Sequence, residues 1–280
     1  MSLSDSQLEA VCHLLNDGSA RVTAALDRQV SEFSTEEQKR LLYLLKKREA
    51  SEVILPPSLR EFHYSQIEIA FSDWSLSSVE DVDLEDACFL LASFGHPLED
   101  MEMKKDELQG MENHLRGRLE GISKADAVVD EVVEYLHGEL RFDGERGNYY
   151  DAQNSFLNRV LERRRGIPIS LSALYLILAG RLGLPFHGVG MPGHFIVKYQ
   201  SDEEPIFLDP FDRGKRLSVG DCAAIVRSLG YHFDMRFLQE TPPRRIVERM
   251  INNLLGIYKR DGEDDRATCL LRCRELVQRV

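Results

Sequence analysis

The chain has 280 residues, of which 43% are hydrophobic and 29% are charged, a composition typical of a folded globular protein. Its formal net charge of −12 at pH 7 argues against a protein that binds nucleic acid or an anionic membrane surface, because both kinds of binding need excess positive charge. No apolar run reaches the roughly 18 residues of a membrane-spanning helix, and the first residues lack the basic and apolar regions of a secretory signal.

The five cysteines are scattered along the chain, and none forms a CxxC motif. This usage is typical of a reducing compartment and predicts a cytoplasmic protein without disulfides. Cys269 and Cys273 lie one helical turn apart with no histidine pair nearby, so we expect no metal there. The chain contains no GxGxxG, phosphate-binding loop or HExxH motif, so no cofactor is expected.

Residues 1–50 are predicted to form short amphipathic helices. Leu8, Val11 and Leu15 follow helical spacing, and the sequence NDG at 16–18 then breaks the run before a second helix. The two helices resemble a hairpin of the HEAT-repeat type, although a repeat array needs about three units to bury a continuous core.

Two further features precede residue 81. Ser34 and Glu37 have the spacing of a capping box and predict the start of another helix. Residues 51–80 are predicted to be a connecting segment of irregular structure and short helices.

Residues 81–240 change from helices to a mixed pattern. Helices are predicted over DLEDACFLLASFG, the charged stretch from 101 to 119, and KADAVVDEVVEYLHGEL, before the polar loop RFDGERGNYYDAQ. The run SLSALYLILAGRL is apolar nearly all round and predicts a buried helix. FHGVGM, HFIVKY and PIFLDPF then predict an antiparallel meander. The expected fold class is therefore α+β, mostly helical, with a buried helix packed on a small antiparallel sheet.

Residues 241–280 predict a helical hairpin that turns at DGEDD. Its pattern resembles the first unit of a tetratricopeptide array. We interpret its basic side chains as a solvated helix face.

His194 and Asp209 are the first candidate site residues. His194 begins one predicted strand and Asp209 ends the next, so the two side chains can meet on neighbouring antiparallel strands. A carboxylate in that position would orient an imidazole and stabilise its charged form. The alternative is a histidine that caps a strand and an aspartate that starts an Asp-Pro turn.

Ser170 is the third candidate, near the start of the buried helix in RRGIPIS. A nucleophile at a helix N-terminus gains from the positive end of the helix dipole. The alternative is a hydroxyl that caps the helix by bonding a backbone N–H group.

Three guanidinium groups precede that helix, those of Arg163, Arg164 and Arg165. Together with Asn154 they are predicted ligand-binding residues, suited to a carboxylate, a phosphate or a peptide end. The alternative is a solvated helix end, where positive charge complements the negative end of the dipole.

Three segments together resemble the transglutaminase-like domain of bacterial SirB-type proteins, whose tail often carries tetratricopeptide repeats: YYDAQNSFLNRVLERRRGIPISLS, LGLPFHGVGMPGHFIV and FLDPF. The resemblance runs from about residue 81 to residue 259. It implies a papain-like core with a triad of cysteine, histidine and aspartate or asparagine. His194 and Asp209 match the second and third positions of that triad.

The first position of the triad departs from the pattern. The resemblance places it near Pro168, within a range that includes Ile169 and Ser170, and none of these is a cysteine. The preferred hypothesis is therefore a pseudoenzyme that acts as a protein-interaction or regulatory module with a protein or peptide partner. The alternative is a serine-dependent amidase or peptidase that uses Ser170, His194 and Asp209. The sequence does not determine the oligomeric state.

Overall fold

The computed structural model describes residues 3–16, 20–48, 53–76 and 83–279. The predicted turn at 16–18 lies largely outside these residues, as do the two ends of the predicted connecting segment.

The N-terminal helices pack around an apolar cluster of their own. They are α1 (Asp5–Asn16), α2 (Ala20–Val30) and α3 (Thr35–Lys47). The predicted capping box at the start of α3 is confirmed, since Ser34 N donates to Glu37 Oε2 at 2.9 Å and Ser34 Oγ accepts from Glu37 N. Leu8 and Leu41 are fully buried in this cluster. The likeness to a HEAT-repeat unit stays a prediction.

The segment expected to contain irregular structure and short helices instead contains one 19-residue helix, α4 (Pro57–Ser75). Proline at its first position costs no hydrogen bond, because the first N–H groups of a helix have no intrahelical partner. Phe71 and Trp74 are buried on one side, and the helix packs against α5 and the C-terminal hairpin. The tertiary contacts of α4 thus stabilise a longer helix than the sequence pattern predicted.

The lead-in to the core is helical, as predicted. It contains α5 (Leu84–Gly95), α6 (Glu102–Arg118) and α7 (Ala125–Val133), which continues into a π-helical turn, Glu134–Glu139.

The core is a buried helix against a four-stranded antiparallel sheet. After α8 (Leu157–Arg163), α9 (Pro168–Leu182) is buried along most of its length, as its apolar sequence predicts. The strands are β3 (Phe186–Met191), β4 (His194–Tyr199), β5 (Ile206–Asp209) and β6 (Lys215–Leu217), paired in chain order. The predicted meander and the α+β class are confirmed. A separate parallel pair, β1 (Asp143–Gly144) and β2 (Arg165–Gly166), was not predicted.

The two faces of the sheet contact different clusters. Phe195, Val197 and Tyr199 belong to the main core around α9, whereas Ile196 packs with Cys222 of α10 (Val219–Ser228) on the other face. This alternation is the period-2 pattern of a strand buried on both sides.

The chain ends in the predicted helical hairpin, α11 (Pro243–Asp261) and α12 (Asp264–Gln278). The two helices pack on each other, and α12 also packs along α4. The turn contains Gly262 with a φ of +73°, a left-handed conformation that favours glycine. The tetratricopeptide likeness stays a prediction. In the described parts of the chain no helix is long and apolar enough to cross a bilayer.

Candidate functional site

The structure brings His194 and Asp209 together. The imidazole Nε2 lies 2.8 Å from Asp209 Oδ2, and the two side chains are 12% and 7% exposed. Val197 pairs with Leu208 in the sheet, and continuing that register by one residue places Asp209, the last residue of β5, opposite Ile196, two residues from His194. His194 and Asp209 are therefore diagonal neighbours, a separation that long side chains bridge.

Asp209 combines both roles that the sequence allowed. While Oδ2 is bound by His194, Oδ1 accepts a hydrogen bond from the backbone N of Phe211 at 3.0 Å. The second bond caps the 3-10 turn Pro210–Asp212. The Asp-Pro turn thus fixes the carboxylate in the orientation in which it contacts the imidazole.

Ser170 lies in the first turn of α9, but its hydroxyl is bonded to backbone groups. Its Oγ donates to Asn154 O at 2.6 Å and accepts from Ile167 N at 3.0 Å. The side chain is 1% exposed, and within the described residues it makes no hydrogen bond to His194. A Cβ on Gly166 would lie 2.7 Å from this oxygen, which explains the glycine before the helix. The hydroxyl therefore holds the entrance to α9 together.

The other positions in the first turn of α9 supply no nucleophile in contact with the pair. Pro168 and Ile169 carry no ionisable group, and both are buried. Ser172 is fully buried, and its Oγ has no hydrogen-bond partner among the described residues.

In the described parts of the chain no cysteine lies in the first turn of α9 or forms a hydrogen bond with His194. All five cysteines are buried and free. Cys222, the nearest to His194 in sequence, packs with Met191 and Ile196, and burial raises its pKa to about 11. A thiol with that pKa stays protonated at neutral pH, whereas a nucleophilic cysteine is a thiolate.

Asn154, a predicted ligand residue, links the polar loop to the start of α9. Its Nδ2 donates to Asn148 O at 2.7 Å, and its carbonyl oxygen accepts from Ser170 Oγ. It is 2% exposed. A ligand-binding role for Asn154 stays a prediction, and these contacts give it a structural role.

The three predicted arginines each have a carboxylate nearby. Arg163 lies 2.9 Å from Asp151, and Arg164 lies 2.9 Å from Glu107. Arg165 lies 3.9 Å from a carboxylate oxygen of Asp143.

Arg164 adopts a left-handed conformation, with a φ of +55°, at the end of α8. Its guanidinium stacks over the ring of Phe142 at 4.7 Å. The arginines therefore end a helix and join it to neighbouring segments, and ligand binding by them stays a prediction.

The aromatic wall beside His194, formed by Phe211, Tyr149 and Tyr150, was not predicted. The His194 ring packs edge-on against Phe211 at 6.2 Å, and Phe211 packs against Tyr149 at 6.1 Å. Arg146 stacks over Phe211 at 4.9 Å. A Cβ on Gly144 would lie 2.4 Å from the carbonyl oxygen of Phe211, so only glycine allows β1 to approach this closely. The tyrosines of the polar loop were the signal that could have located this wall.

A second histidine lies deeper in the fold. The Nδ1 of His137 is 2.6 Å from Phe142 O, and its Nε2 is 2.8 Å from the hydroxyl of Tyr175 on α9. Burial lowers the pKa of His137, which favours the neutral ring at pH 7. With Nδ1 donating to the carbonyl, Nε2 accepts from the tyrosine. This pair satisfies buried polar groups behind the site.

The residues that the structure describes contain no group of three or more His, Cys, Asp or Glu side chains placed to hold a metal ion. The side chains in contact with the His194 imidazole include the Asp209 carboxylate and the Phe211 ring.

Comparison with known proteins identifies the family. A sequence model of the transglutaminase-like superfamily matches residues 102–252. The chain belongs to the transglutaminase-like superfamily. The match lies within the segment from 81 to 259 that the sequence motifs indicated, and it contains both His194 and Asp209.

Relatives of this transglutaminase-like chain occur in bacteria and in mammals. A UPF0162 protein of Xylella fastidiosa (strain 9a5c) is 33% identical over 214 residues, which cover 74% of this chain and 75% of that protein. A UPF0162 protein of Vibrio cholerae is 34% identical over 159 residues, 54% of this chain and 56% of that protein. Mouse F-box only protein 21 is 36% identical over 145 residues, 49% of this chain and 23% of that protein. No solved structure gives a significant match.

Proposed function

We propose that this transglutaminase-like chain is a binding module that has lost cysteine chemistry and acts through a protein or peptide partner. The observation that carries the proposal is the 2.6 Å hydrogen bond from Ser170 Oγ to Asn154 O. It directs the hydroxyl proton to a backbone carbonyl, whereas a serine nucleophile must give its proton to a base.

The energetics of the first turn of α9 support this proposal. To attack a substrate, Ser170 would have to give up its hydrogen bonds to Asn154 O and Ile167 N, which would keep only the 3.3 Å hydrogen bond to each other. Each lost hydrogen bond costs about 0.5–1.5 kcal/mol, in addition to the unfavourable deprotonation of an alcohol. A cysteine would avoid the second cost, because a thiol has a pKa near 8.5 that a helix N-terminus lowers. The absence of a thiol from the first turn of α9 thus removes the cysteine chemistry of the triad.

The alternative is a serine-dependent amidase or peptidase. It is favoured by one observation, the close contact of His194 with Asp209, which is the orientation that a general base needs. On this alternative Ser170 would turn towards the imidazole when a substrate binds.

A fluorophosphonate probe, which labels activated serines, distinguishes the two. We expect no labelling of the wild-type protein, of Ser170→Ala or of His194→Ala. Ser172→Ala is the matched control, because Ser172 is an equally buried serine two residues away. The hydrolase would be established instead by a different pattern of labelling. In that pattern the wild-type protein is labelled, Ser170→Ala and His194→Ala each abolish the labelling, and Ser172→Ala retains it.

Four finer assignments belong to the same proposal. We place the chain in the SirB-type group in the cytoplasm, with a HEAT-like N-terminal segment and a tetratricopeptide-like C-terminal hairpin that contact partners. Helical hairpins of these types present extended surfaces to other proteins. The motifs around Asn154 and His194 and the absence of disulfides support the assignment.

A further inference from the structure

Arg249 of α11 reaches the turn that carries His194. Its Nη2 donates to Met191 O at 2.9 Å and to His194 O at 2.7 Å, and its guanidinium stacks over Phe195 at 5.4 Å. These contacts occupy one nitrogen. The other two, Nε and Nη1, make no hydrogen bond to any described residue.

The charge of Arg249 is not balanced. It forms no ion pair with any residue that the structure describes, and its two acceptors are neutral carbonyl oxygens. The chain as a whole has more acidic than basic residues, 47 against 35. A partly buried guanidinium without a carboxylate is costly, and burial lowers the pKa of Arg249.

The neighbouring arginines, unlike Arg249, form ion pairs with carboxylates of described residues. Arg146 pairs with Asp143 at 3.0 Å and with Asp212 at 3.1 Å. Arg260 pairs with Asp261 at 2.8 Å, although it also stacks on a ring of the aromatic wall, that of Tyr150, at 5.2 Å. Of these three arginines, only Arg249 has a positive charge that no described carboxylate neutralises. A ligand anion that enters this region would therefore bind at Arg249.

The surroundings of Arg249 also suit a peptide. Burial raises the pKa of Tyr149, and the positive charge of Arg249 partly offsets this rise. The Tyr149 ring contacts Phe211, which contacts His194, and Tyr149 is 37% exposed. Tyr150 packs against Tyr149 at 5.3 Å and is 64% exposed. This region therefore combines a guanidinium that makes no ion pair with a described residue and partly exposed aromatic rings.

We propose that Arg249 binds the carboxylate of a peptide whose apolar part lies on the wall formed by Tyr149, Tyr150 and Phe211. This inference rests on the proposed binding function and names its ligand. The carboxylate would accept a charge-assisted hydrogen bond from Nη1 or Nε, the two nitrogens of Arg249 that make no hydrogen bond to a described residue. The carboxylate has two possible sources, a chain terminus or an acidic side chain.

Two pairs of small probes test the proposal by NMR titration of the wild-type protein. N-acetylphenylalanine and its amide differ only in a terminal carboxylate, and N-acetylglutamate α-amide and N-acetylglutamine α-amide differ only in a side-chain carboxylate. We expect one carboxylate of these pairs to shift the Arg249 Nε and His194 imidazole signals saturably, at least about tenfold more tightly than its amide. The pair that responds identifies the source.

Variants distinguish a ligand site from a brace of the β3–β4 turn. Arg249→Met should remove the preference for the carboxylate, and Arg249→Lys should retain part of it. Arg245→Met is the matched control and should leave binding unchanged, because Arg245 lies on the same helix and already pairs with Glu248 at 2.7 Å. If Arg249→Met does not fold, the lysine variant supplies the test.

Equal binding of acid and amide, a preference that survives Arg249→Met, or no saturable shift with either acid would overturn the inference. These results are independent of fluorophosphonate labelling, so failure of this inference is distinguishable from failure of the proposed binding function.

Discussion

The two carboxylate oxygens of Asp209 contact different parts of one structure: Oδ2 binds the His194 imidazole at 2.8 Å, and Oδ1 binds the backbone N of Phe211 at 3.0 Å. Phe211 in turn packs against the His194 ring. A single aspartate thus fixes the imidazole and the aromatic ring beside it. Nδ1 of His194 makes no hydrogen bond to a described residue and is the nitrogen left for a ligand.

Removing both contacts of Asp209 should destabilise the fold. We expect Asp209→Ala to lower the free energy of unfolding by about 2–4 kcal/mol, because it leaves a buried imidazole and a turn N–H without their acceptor. Asp209→Asn retains one oxygen acceptor and should cost less than half as much. Urea unfolding measures both. Equal losses for the two variants would show that the negative charge, rather than the hydrogen bonds, provides the stability.

The two buried serines of α9 should differ. We expect Ser170→Ala to lower the free energy of unfolding by about 2 kcal/mol, since Ile167 N and Asn154 O both lose a partner. Ser172→Ala should cost less than about 0.5 kcal/mol or stabilise the fold, because its hydroxyl is buried without a partner. Thermal unfolding of both variants checks the difference, and equal effects would contradict the structural role of Ser170.

The aromatic wall should depend on Gly144. An added Cβ would meet the Phe211 carbonyl oxygen at 2.4 Å, so we expect Gly144→Ala to displace Phe211 and destabilise the fold by about 1–3 kcal/mol. The NMR signals of the His194 ring should shift as well. Gly147→Ala in the same loop meets only the flexible end of Glu145 at 3.2 Å and serves as control. An unchanged His194 signal in Gly144→Ala would contradict the contact.

Acid stability should depend on His63. This side chain of α4 bonds Ser93 O through Nε2 at 3.0 Å, and burial lowers its pKa to about 4, from a usual value of about 6.5. The unfolded chain therefore binds a proton on His63 more tightly than the folded chain does. The stability that neutral His63 provides above about pH 6.5 is lost as the pH falls towards 4.

We expect His63→Gln to reduce the slope of the free energy of unfolding against pH by up to about 1.4 kcal/mol per pH unit. Urea unfolding between pH 7 and pH 4 measures this slope. Exposed His13→Gln is the control. An unchanged slope in His63→Gln would show that His63 does not titrate in this range.

Much of the core could be predicted from the sequence. The apolar run of α9, the alternating strands and the Pro-Gly turn before His194 are local patterns, and local patterns determine secondary structure and strand order. His194 and Asp209 were found in the same way, because consecutive antiparallel strands bring their ends together. Only short helices were predicted in the segment of the 19-residue α4, since its length depends on packing against α5 and α12 rather than on a regular apolar spacing.

The sequence by itself thus determined the fold class, the superfamily motifs and the absence of a cysteine at the start of α9. Only the tertiary structure decided what replaced it. The acceptor for the Ser170 proton is a carbonyl 16 residues away, and Arg249 reaches His194 O across 55 residues. The direction of a hydroxyl and the surroundings of a guanidinium depend on which distant backbone groups pack against them, and no local spacing encodes that.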